Sequence, residues 1–242
     1  MFIKEIRSST FPVGSGSLEL DMGRILQYTS SMVKTNADAP PQAQLPDSSH
    51  APLGKQKTPS HKEMIAALCP EGNPEMIILS YWLPDMDFNG GESLVAALSE
   101  EYSGSKAYTF ALCDTGFGAL PSALEYIKNE MSVNKQNEIW LFYLNQFQYG
   151  APGNSELFWV APGESLWIKL VRDNEKYSYP KLSIERRIAD DSEPALLSMS
   201  DEWDEQSSAI KSLINLTSGD DWKYSYRNKY NNLCFDMTAS YV

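Results

Sequence analysis

The sequence predicts an α/β fold, a layered domain in which helices flank a mixed sheet of the five-stranded type. Three continuous apolar runs predict strands covered on both faces: Ile77–Tyr81, Phe110–Leu112 and Ile139–Leu144. Segments with helical spacing separate these runs, and an alternation of strand and helix at intervals of roughly 30 residues is typical of parallel βαβ units. Shorter strand-like segments with Pro-Gly and Asp-Asn turns follow, and they predict an antiparallel addition to the sheet.

The N-terminal part is predicted to start with a strand and to contain a long loop. Phe2–Val13 has strand character, and Leu18–Val33 places apolar residues at near-helical spacing, which predicts an amphipathic helix. Residues from about 36 to 60 carry five prolines without a hydrophobic period, which indicates a long surface loop. A short helix, His61–Leu68, is predicted directly after this loop.

The remaining elements follow from the same patterns. Apolar residues at helical spacing predict that Phe117–Met131 is the central helix buried against the sheet. We divide the chain into an α/β domain at 1–190 and a divergent C-terminal part at 191–242 that contains one helix and an irregular aromatic tail. The other predicted elements are a helix at Ser93–Tyr102, strands at Leu157–Val160, Glu164–Val171 and Lys181–Ile188, and a helix at Ala209–Leu216.

Composition excludes several classes of partner. The 242 residues carry a net charge of -12, which disfavours nucleic acid and anionic membrane surfaces. No apolar run approaches the roughly 20 residues of a membrane-spanning helix, and the first residues lack the apolar core of a signal peptide. The three cysteines, Cys69, Cys113 and Cys234, are odd in number and widely spaced. This usage suits a reducing compartment, so we expect a cytoplasmic protein.

The most informative segment is Phe110–Lys128, which reads FALCDTGFGALPSALEYIK. A strand ends at Cys113-Asp114, the chain passes two glycines, and helical spacing begins. In such a strand–turn–helix unit, backbone N–H groups and the positive end of the helix can stabilise a thiolate or an oxyanion.

This unit resembles the nucleophile turn of the thiolase-like fold, the superfamily of β-ketoacyl synthases and thiolases. There the reactive cysteine lies in an Ala-Ala-Cys-x-Gly-Phe type motif at the head of a buried helix. The order of elements from Ile77–Asp85 to Glu164–Arg172 is also similar to that of the family. The resemblance covers about Glu63–Val171, so the chain looks like a short and divergent N-terminal half. It implies a role in fatty-acyl, polyketide or other secondary-metabolite biosynthesis.

The resemblance makes Cys113 and Asp114 the candidate catalytic residues. Two residues separate Cys113 from Gly116 where the family has one, so Asp114 matches the nucleophile position by its spacing to Gly-Phe. Read without the resemblance, Asp114 is a helix N-cap and Cys113 a small buried apolar residue. The family also needs a histidine, and the only two here, His50 and His61, are expected to be exposed in or beside the proline-rich loop.

Three functions therefore remain open. The first is a non-catalytic or partner-dependent thiolase-like subunit, the second an acyltransferase of the condensing type that uses Cys113, and the third an interaction protein without acyl chemistry. By resemblance, Ala107–Leu112 is expected near the interface of a homodimer or of a heteromer with a related synthase. An acyl carrier protein is a further expected partner. No cofactor is expected, because the Gly-rich segments lack the lysine of a phosphate loop and no Cys/His pair has metal-ligand spacing.

Overall fold

In the computed structural model the chain builds one large sheet with helices on both faces. The structure describes residues 1–12, 14–21, 55–81, 93–102, 107–113, 118–146, 148–149, 160–161, 163–173, 179–188, 199–227 and 233–241. The strands are β1 Phe2–Phe11, β2 Leu18–Asp21, β3 Lys55–Thr58, β4 Met76–Tyr81, β5 Tyr108–Cys113, β6 Glu138–Asn145, β7 Gln148–Tyr149, β8 Val160–Ala161, β9 Gly163–Val171, β10 Pro180–Ile188, β11 Asp221–Arg227 and β12 Leu233–Tyr241. The helices are α1 His61–Leu68, α2 Leu94–Glu101, α3 Ala119–Val133 and α4 Met199–Ile214.

The sheet is mixed, and its parallel core is the one that the apolar runs predict. Its strand order is β11-β12-β10-β1-β9-β6-β4-β5. Strand β4 lies between β5 and β6 and is parallel to both. Strand β9 is antiparallel to β6 on one side and to β1 on the other. The α/β class, the mixed sheet and the three central strands are therefore confirmed.

The sheet consists of a five-stranded part and a three-stranded part that meet at one point. Strands β1, β9, β6, β4 and β5 pair along their lengths, and so do β10, β12 and β11. Between β1 and β10 the only paired residues are Phe2 and Lys181. The N–H of Leu182 also donates to the carbonyl of Met1 at 2.9 Å. Beyond this contact the two parts diverge, which leaves a fork on one side of β1.

Two apolar layers hold the helices to the sheet. Ile77 and Leu79 of β4 lie in the layer under α1 and α2, whereas Ile78 lies in the layer under α3 and α4. The predicted central helix is confirmed, because α3 packs its buried face, including Leu124 and Ile127, against this second layer. Burying one such side chain contributes about 1.5–3 kcal/mol, so the two layers account for the arrangement of the helices.

Helix α1 is fixed at both ends. At its start the Ser60 hydroxyl accepts the N–H of Glu63 at 3.1 Å, and the Glu63 carboxylate accepts the N–H of Ser60 at 2.8 Å. This reciprocal pair is a capping box. At its end the Arg7 guanidinium donates to the carbonyls of Leu68 and Cys69 at 3.3 and 2.6 Å. The helix therefore holds its first residue in a defined place, which matters for the site described below.

Two N-terminal predictions are wrong in part. Leu18–Asp21, expected to begin a helix, is strand β2, and it pairs with Lys55–Thr58, which was expected to be loop. The sequence of β2 alternates apolar and acidic residues, so it fits a two-residue period as well as a helical one. The rest of the predicted helix and most of the proline-rich segment lie outside the described residues.

The C-terminal part also differs from the prediction. The tail forms strands β11 and β12 instead of an irregular segment, so the sheet has eight strands and not five. The buried residues of β12 include Phe235, Met237 and Ala239, a two-residue period typical of a half-buried strand. Strands β9 and β10, expected to be neighbours in an antiparallel addition, are separated by β1. The division of the chain after residue 190 stays a prediction.

Candidate functional site

The carboxyl ends of the three parallel strands meet at one edge of the sheet. Tyr81, the last residue of β4, is paired with Cys113 at the end of β5 and with Leu144 near the end of β6. In open α/β sheets, ligands commonly bind in the crevice outside the carboxyl ends of the strands. A site that uses the predicted nucleophile turn would therefore lie at this edge.

The turn itself is described at its two ends. Cys113 closes β5, and α3 begins at Ala119 with Gly118 as its N-cap, a residue that offers no capping side chain. Asp114, the N-cap expected from the sequence, lies outside the described residues. A helix of 15 residues carries partial positive charge at its start. Cys113 is thus followed in the sequence by a positive helix end.

His61 lies at this same edge and is buried, so the prediction of an exposed loop histidine is wrong. It is the first residue of α1, its side chain is 1% exposed, and its ring centroid lies 5.0 Å from that of Tyr81. Because Tyr81 is paired with Cys113, the histidine lies one strand away from the end of β5. The pattern Ser60-x-x-Glu63 is the signal that could have located His61 at a helix start.

Hydrogen bonds to the end of β6 hold the segment before His61 in place. The Thr58 hydroxyl donates to the backbone carbonyl of Gln146 at 3.3 Å. The Gln146 side-chain amide donates to the carbonyl of Pro59 at 3.0 Å. Both bonds are buried, where hydrogen bonds are costly to break. These hydrogen bonds hold the segment before α1 against the end of β6, and they thereby fix the position of the His61 imidazole.

Burial determines the charge of the imidazole. Desolvation lowers the pKa of His61 from its ordinary value of 6.5 to about 3. The ring is therefore neutral at physiological pH. A cysteine activated as a thiolate–imidazolium pair needs a cationic imidazole beside the sulfur. His61 cannot hold that charge where it lies.

A buried hydroxyl adds a further polar group that the sequence analysis missed. Ser80, the residue before Tyr81, is fully buried, and its hydroxyl has no hydrogen-bond partner among the described residues. It is paired with Leu112 of β5 and Tyr143 of β6. A lone serine in an apolar run carries no sequence signal, so only the fold identifies it. It places an uncommitted donor close to the strand ends.

Two searches of the described ranges were negative. They contain no group of three or more His, Cys, Asp or Glu side chains that could hold a metal ion. Within them, no helix combines the length and the apolar character that spanning a bilayer requires. His50, the second histidine, lies outside these ranges.

Comparison with known proteins identifies the fold. The acyltransferase ChlB3 superposes with a TM-score of 0.51 over 100% of this chain and 97% of its own, at 8% identity. The chain has a thiolase-like fold. At this identity the likeness concerns the fold alone, and the chain is a divergent example of it. The predicted resemblance to thiolase-like proteins is thereby confirmed.

Two further solved structures give weaker matches. The tetronic acid condensing enzyme AbyA1 matches at 8% identity over 99% of this chain and 100% of its own, with a TM-score of 0.49. The ketosynthase ApeO in complex with its chain length factor ApeC, from Xenorhabdus doucetiae, matches at 9% identity over 98% and 99%, with a TM-score of 0.42. Both scores lie below 0.5, so the fold assignment rests on ChlB3. No protein-family model and no curated protein matches the chain.

Proposed function

We propose that this thiolase-like protein lacks a self-contained Cys–His site and works as a non-catalytic or partner-dependent subunit. Its setting would be fatty-acyl, polyketide or other secondary-metabolite biosynthesis, beside a complete synthase. The observation that carries the proposal is the buried, neutral state of His61, the histidine that the described residues place beside the strand ends.

The energetic argument is simple. Protonating the imidazole of His61 in its buried position costs free energy, and this cost lowers its pKa from 6.5 to about 3. Without a nearby cation the thiol of a cysteine stays near its unperturbed pKa of about 8.5 and is mostly protonated at neutral pH. The start of α3 can offset only part of this, since a helix dipole contributes about 0.3–1 kcal/mol, and up to about 2 kcal/mol when partly buried. Neither His61 nor the helix start therefore supplies the full charge that activation of Cys113 would need.

Strand β5 supports the proposal of a partner. It is the last strand of the sheet, and the side chain of Tyr108 is 64% exposed. The N–H of Tyr108 donates to the carbonyl of Glu75 on the β4 side at 3.0 Å. In a parallel ladder alternate residues face opposite neighbours, so Thr109 and Ala111 direct their N–H and C=O groups to the open side. No strand of the described residues pairs with this side of β5, and such an edge can accept a strand from a second copy or a related synthase.

Exposed apolar surface does not add to this argument. Helices cover both faces of the described sheet, so no open apolar face marks a partner site there. The large hydrophobic residues that are exposed in the described part, Tyr108, Val133 and Ile188, lie on three different elements. We therefore place the proposed interface at the edge of β5, as the resemblance predicts for Ala107–Leu112.

Thr109→Pro tests the interface, because it removes the outward N–H of β5 and leaves the bonds to β4 in place. Thr109→Val is the matched control, since it keeps that N–H. Sedimentation equilibrium at micromolar concentration should give a dimer for the wild type and for Thr109→Val, and a monomer for Thr109→Pro. A monomeric wild type that also captures no related synthase would contradict the proposal.

A second function is favoured by one specific observation. Cys113 ends a parallel strand beside Tyr81, and a helix start follows it, which is where a nucleophile of this fold class would be expected. An acyltransferase that uses Cys113 with a base supplied by another part of the chain is therefore the alternative. Thiol alkylation across pH separates the two: a Cys113 pKa well below 7 would favour the acyltransferase, and one near 8.5 favours the subunit.

A further inference from the structure

A small cleft lies on the α4 side of the sheet, where Glu164 of β9 is paired with Asn145, the last residue of β6. Its floor is formed by β1, β9 and β6, and its roof by α4. Its volume is about 30 Å³, which gives room for about two water-sized groups.

Glu164 on β9 is the central polar group of the cleft. Its side chain is only 16% exposed, and its Oε1 atom accepts a hydrogen bond from the Ser207 hydroxyl at 3.0 Å. Its second oxygen, Oε2, accepts no hydrogen bond from any residue in the described ranges. Burial raises the pKa of this carboxyl group above its ordinary value of 4.5. Glu164 is therefore a partly dehydrated acid with one acceptor still open.

The cation nearest to Glu164 is held loosely. The Nζ atom of Lys211 lies 3.9 Å from Oε1, and its side chain is 67% exposed. An ion pair of this length and exposure contributes little, because water screens it and the long side chain loses entropy when it is fixed. Lys211 therefore stands at the rim of the cleft as a weak occupant that another cation could replace.

The rest of the floor supplies neutral oxygen atoms. Thr10 is paired with Glu164 and Ser8 with Leu166, so both hydroxyl-bearing residues of β1 share the face of Glu164. Both line the cleft, and their hydroxyls make no hydrogen bond within the described part of the chain. The Tyr143 hydroxyl, by contrast, already donates to Gln206 at 2.9 Å. The open groups of the floor are thus one carboxylate oxygen and two hydroxyls, all of which can accept.

We propose that this cleft binds a primary ammonium group, with Glu164 Oε2 as the anionic acceptor and the hydroxyls of Ser8 and Thr10 as neutral acceptors. An ammonium has three donors and no acceptor, which matches three open oxygen atoms. A divalent cation is disfavoured, because calcium takes six to eight oxygen ligands and magnesium an octahedral set. An anion is disfavoured by the carboxylate itself. The ligand would be a short alkylamine or the amino end of a larger molecule that enters from the rim.

The test is a titration of the full-length protein with methylammonium chloride, followed by amide chemical shifts at constant ionic strength. We expect saturable shifts confined to β1, β9 and α4, and none with tetramethylammonium, which has no N–H donor. Glu164→Gln keeps the acceptor for Ser207 and should weaken binding about tenfold or more. Lys211→Met removes the competing cation and should tighten binding.

Thr10→Val keeps the test decisive if Glu164→Gln fails to fold, because Thr10 is exposed and its loss leaves the core intact. It should weaken methylammonium binding while shifts elsewhere stay unchanged. Methylammonium is titrated up to about 100 millimolar, which covers dissociation constants in the millimolar range. Chemical shifts that do not saturate by that concentration would overturn the proposal. So would equal binding by the wild type and Glu164→Gln.

Discussion

Lowering the pH is the perturbation that tests the state of His61 most directly. The imidazole is buried beside Tyr81, and desolvation lowers its pKa from 6.5 to about 3. The unfolded chain takes up a proton at this residue near pH 6.5, whereas the folded chain does not until about pH 3. Stability from this group is therefore fully present above pH 6.5 and is lost as the pH falls toward 3. Within that window the free energy of unfolding falls by up to about 1.4 kcal/mol for each pH unit. A fall in pH from 6.5 to 4.5 should therefore lower it by about 2–3 kcal/mol.

Two measurements check this expectation. In proton–carbon NMR spectra the ring signals of His61 should not titrate between pH 5 and 8, and a His50→Gln variant assigns them among the two histidines. In urea unfolding, His61→Phe keeps an aromatic ring but removes the titrating group. The difference in the free energy of unfolding between wild type and His61→Phe should change by about 2–3 kcal/mol between pH 7 and 4.5. A His61 pKa between 6 and 7, or a difference that is the same at both pH values, would refute the reasoning.

The remaining predictions concern the packing that holds the site. Gly72 has φ +134° and a Cβ there would lie 3.2 Å from both Lys169 Nζ and Trp140 Cζ2, so Gly72→Ala should lower the free energy of unfolding in urea by about 1–3 kcal/mol. Leu124 is almost fully buried in α3, and Leu124→Ala should lower it by about 2–5 kcal/mol, whereas an unchanged midpoint would contradict the buried position of α3. Lys169→Met removes a buried ammonium that lies over the Trp140 and Trp167 rings and donates to a backbone carbonyl, so it should cost about 1–3 kcal/mol and change tryptophan fluorescence.

The sequence predicts the central sheet well because its signal is local. The runs that become β4, β5 and β6 are predominantly apolar, a pattern typical of strands covered on both faces. Helix α3 was predicted for a similar reason, since its apolar residues recur at helical spacing. These parts of the fold are determined by burial, and the local pattern of apolar residues records which segments are buried.

The missed parts depend on distant pairing. Strand β2 exists because β3 lies against it more than 30 residues later, and no local pattern records that partner. Strand β1 enters between β9 and β10 although both are far from it in sequence, so their order could not be derived from neighbouring turns. Such long-range contacts cost entropy when the intervening loop is closed, and the local periodicity of a sequence does not show which distant segments pair.

The candidate site shows the same division. Cys113 was placed correctly at a strand end by its local pattern, and its catalytic role stays a prediction, as does that of Asp114. His61 was misplaced because a proline-rich segment suggests a loop, whereas the capping box and the contacts with Gln146 bury it. Ser80 had no signal at all, because its isolation from hydrogen-bond partners arises only when the sheet and α3 come together.

Incubation with an acyl-CoA or acyl-carrier thioester, followed by intact mass, tests the proposal that this chain does not catalyse acyl transfer by itself. Peptide mapping and a Cys69→Ser variant separate Cys113 from Cys69, which is exposed and could react without catalysis. We expect no stable acyl adduct on Cys113 in the isolated protein. An adduct that maps to Cys113 and disappears in Cys113→Ser would contradict it and establish the acyltransferase.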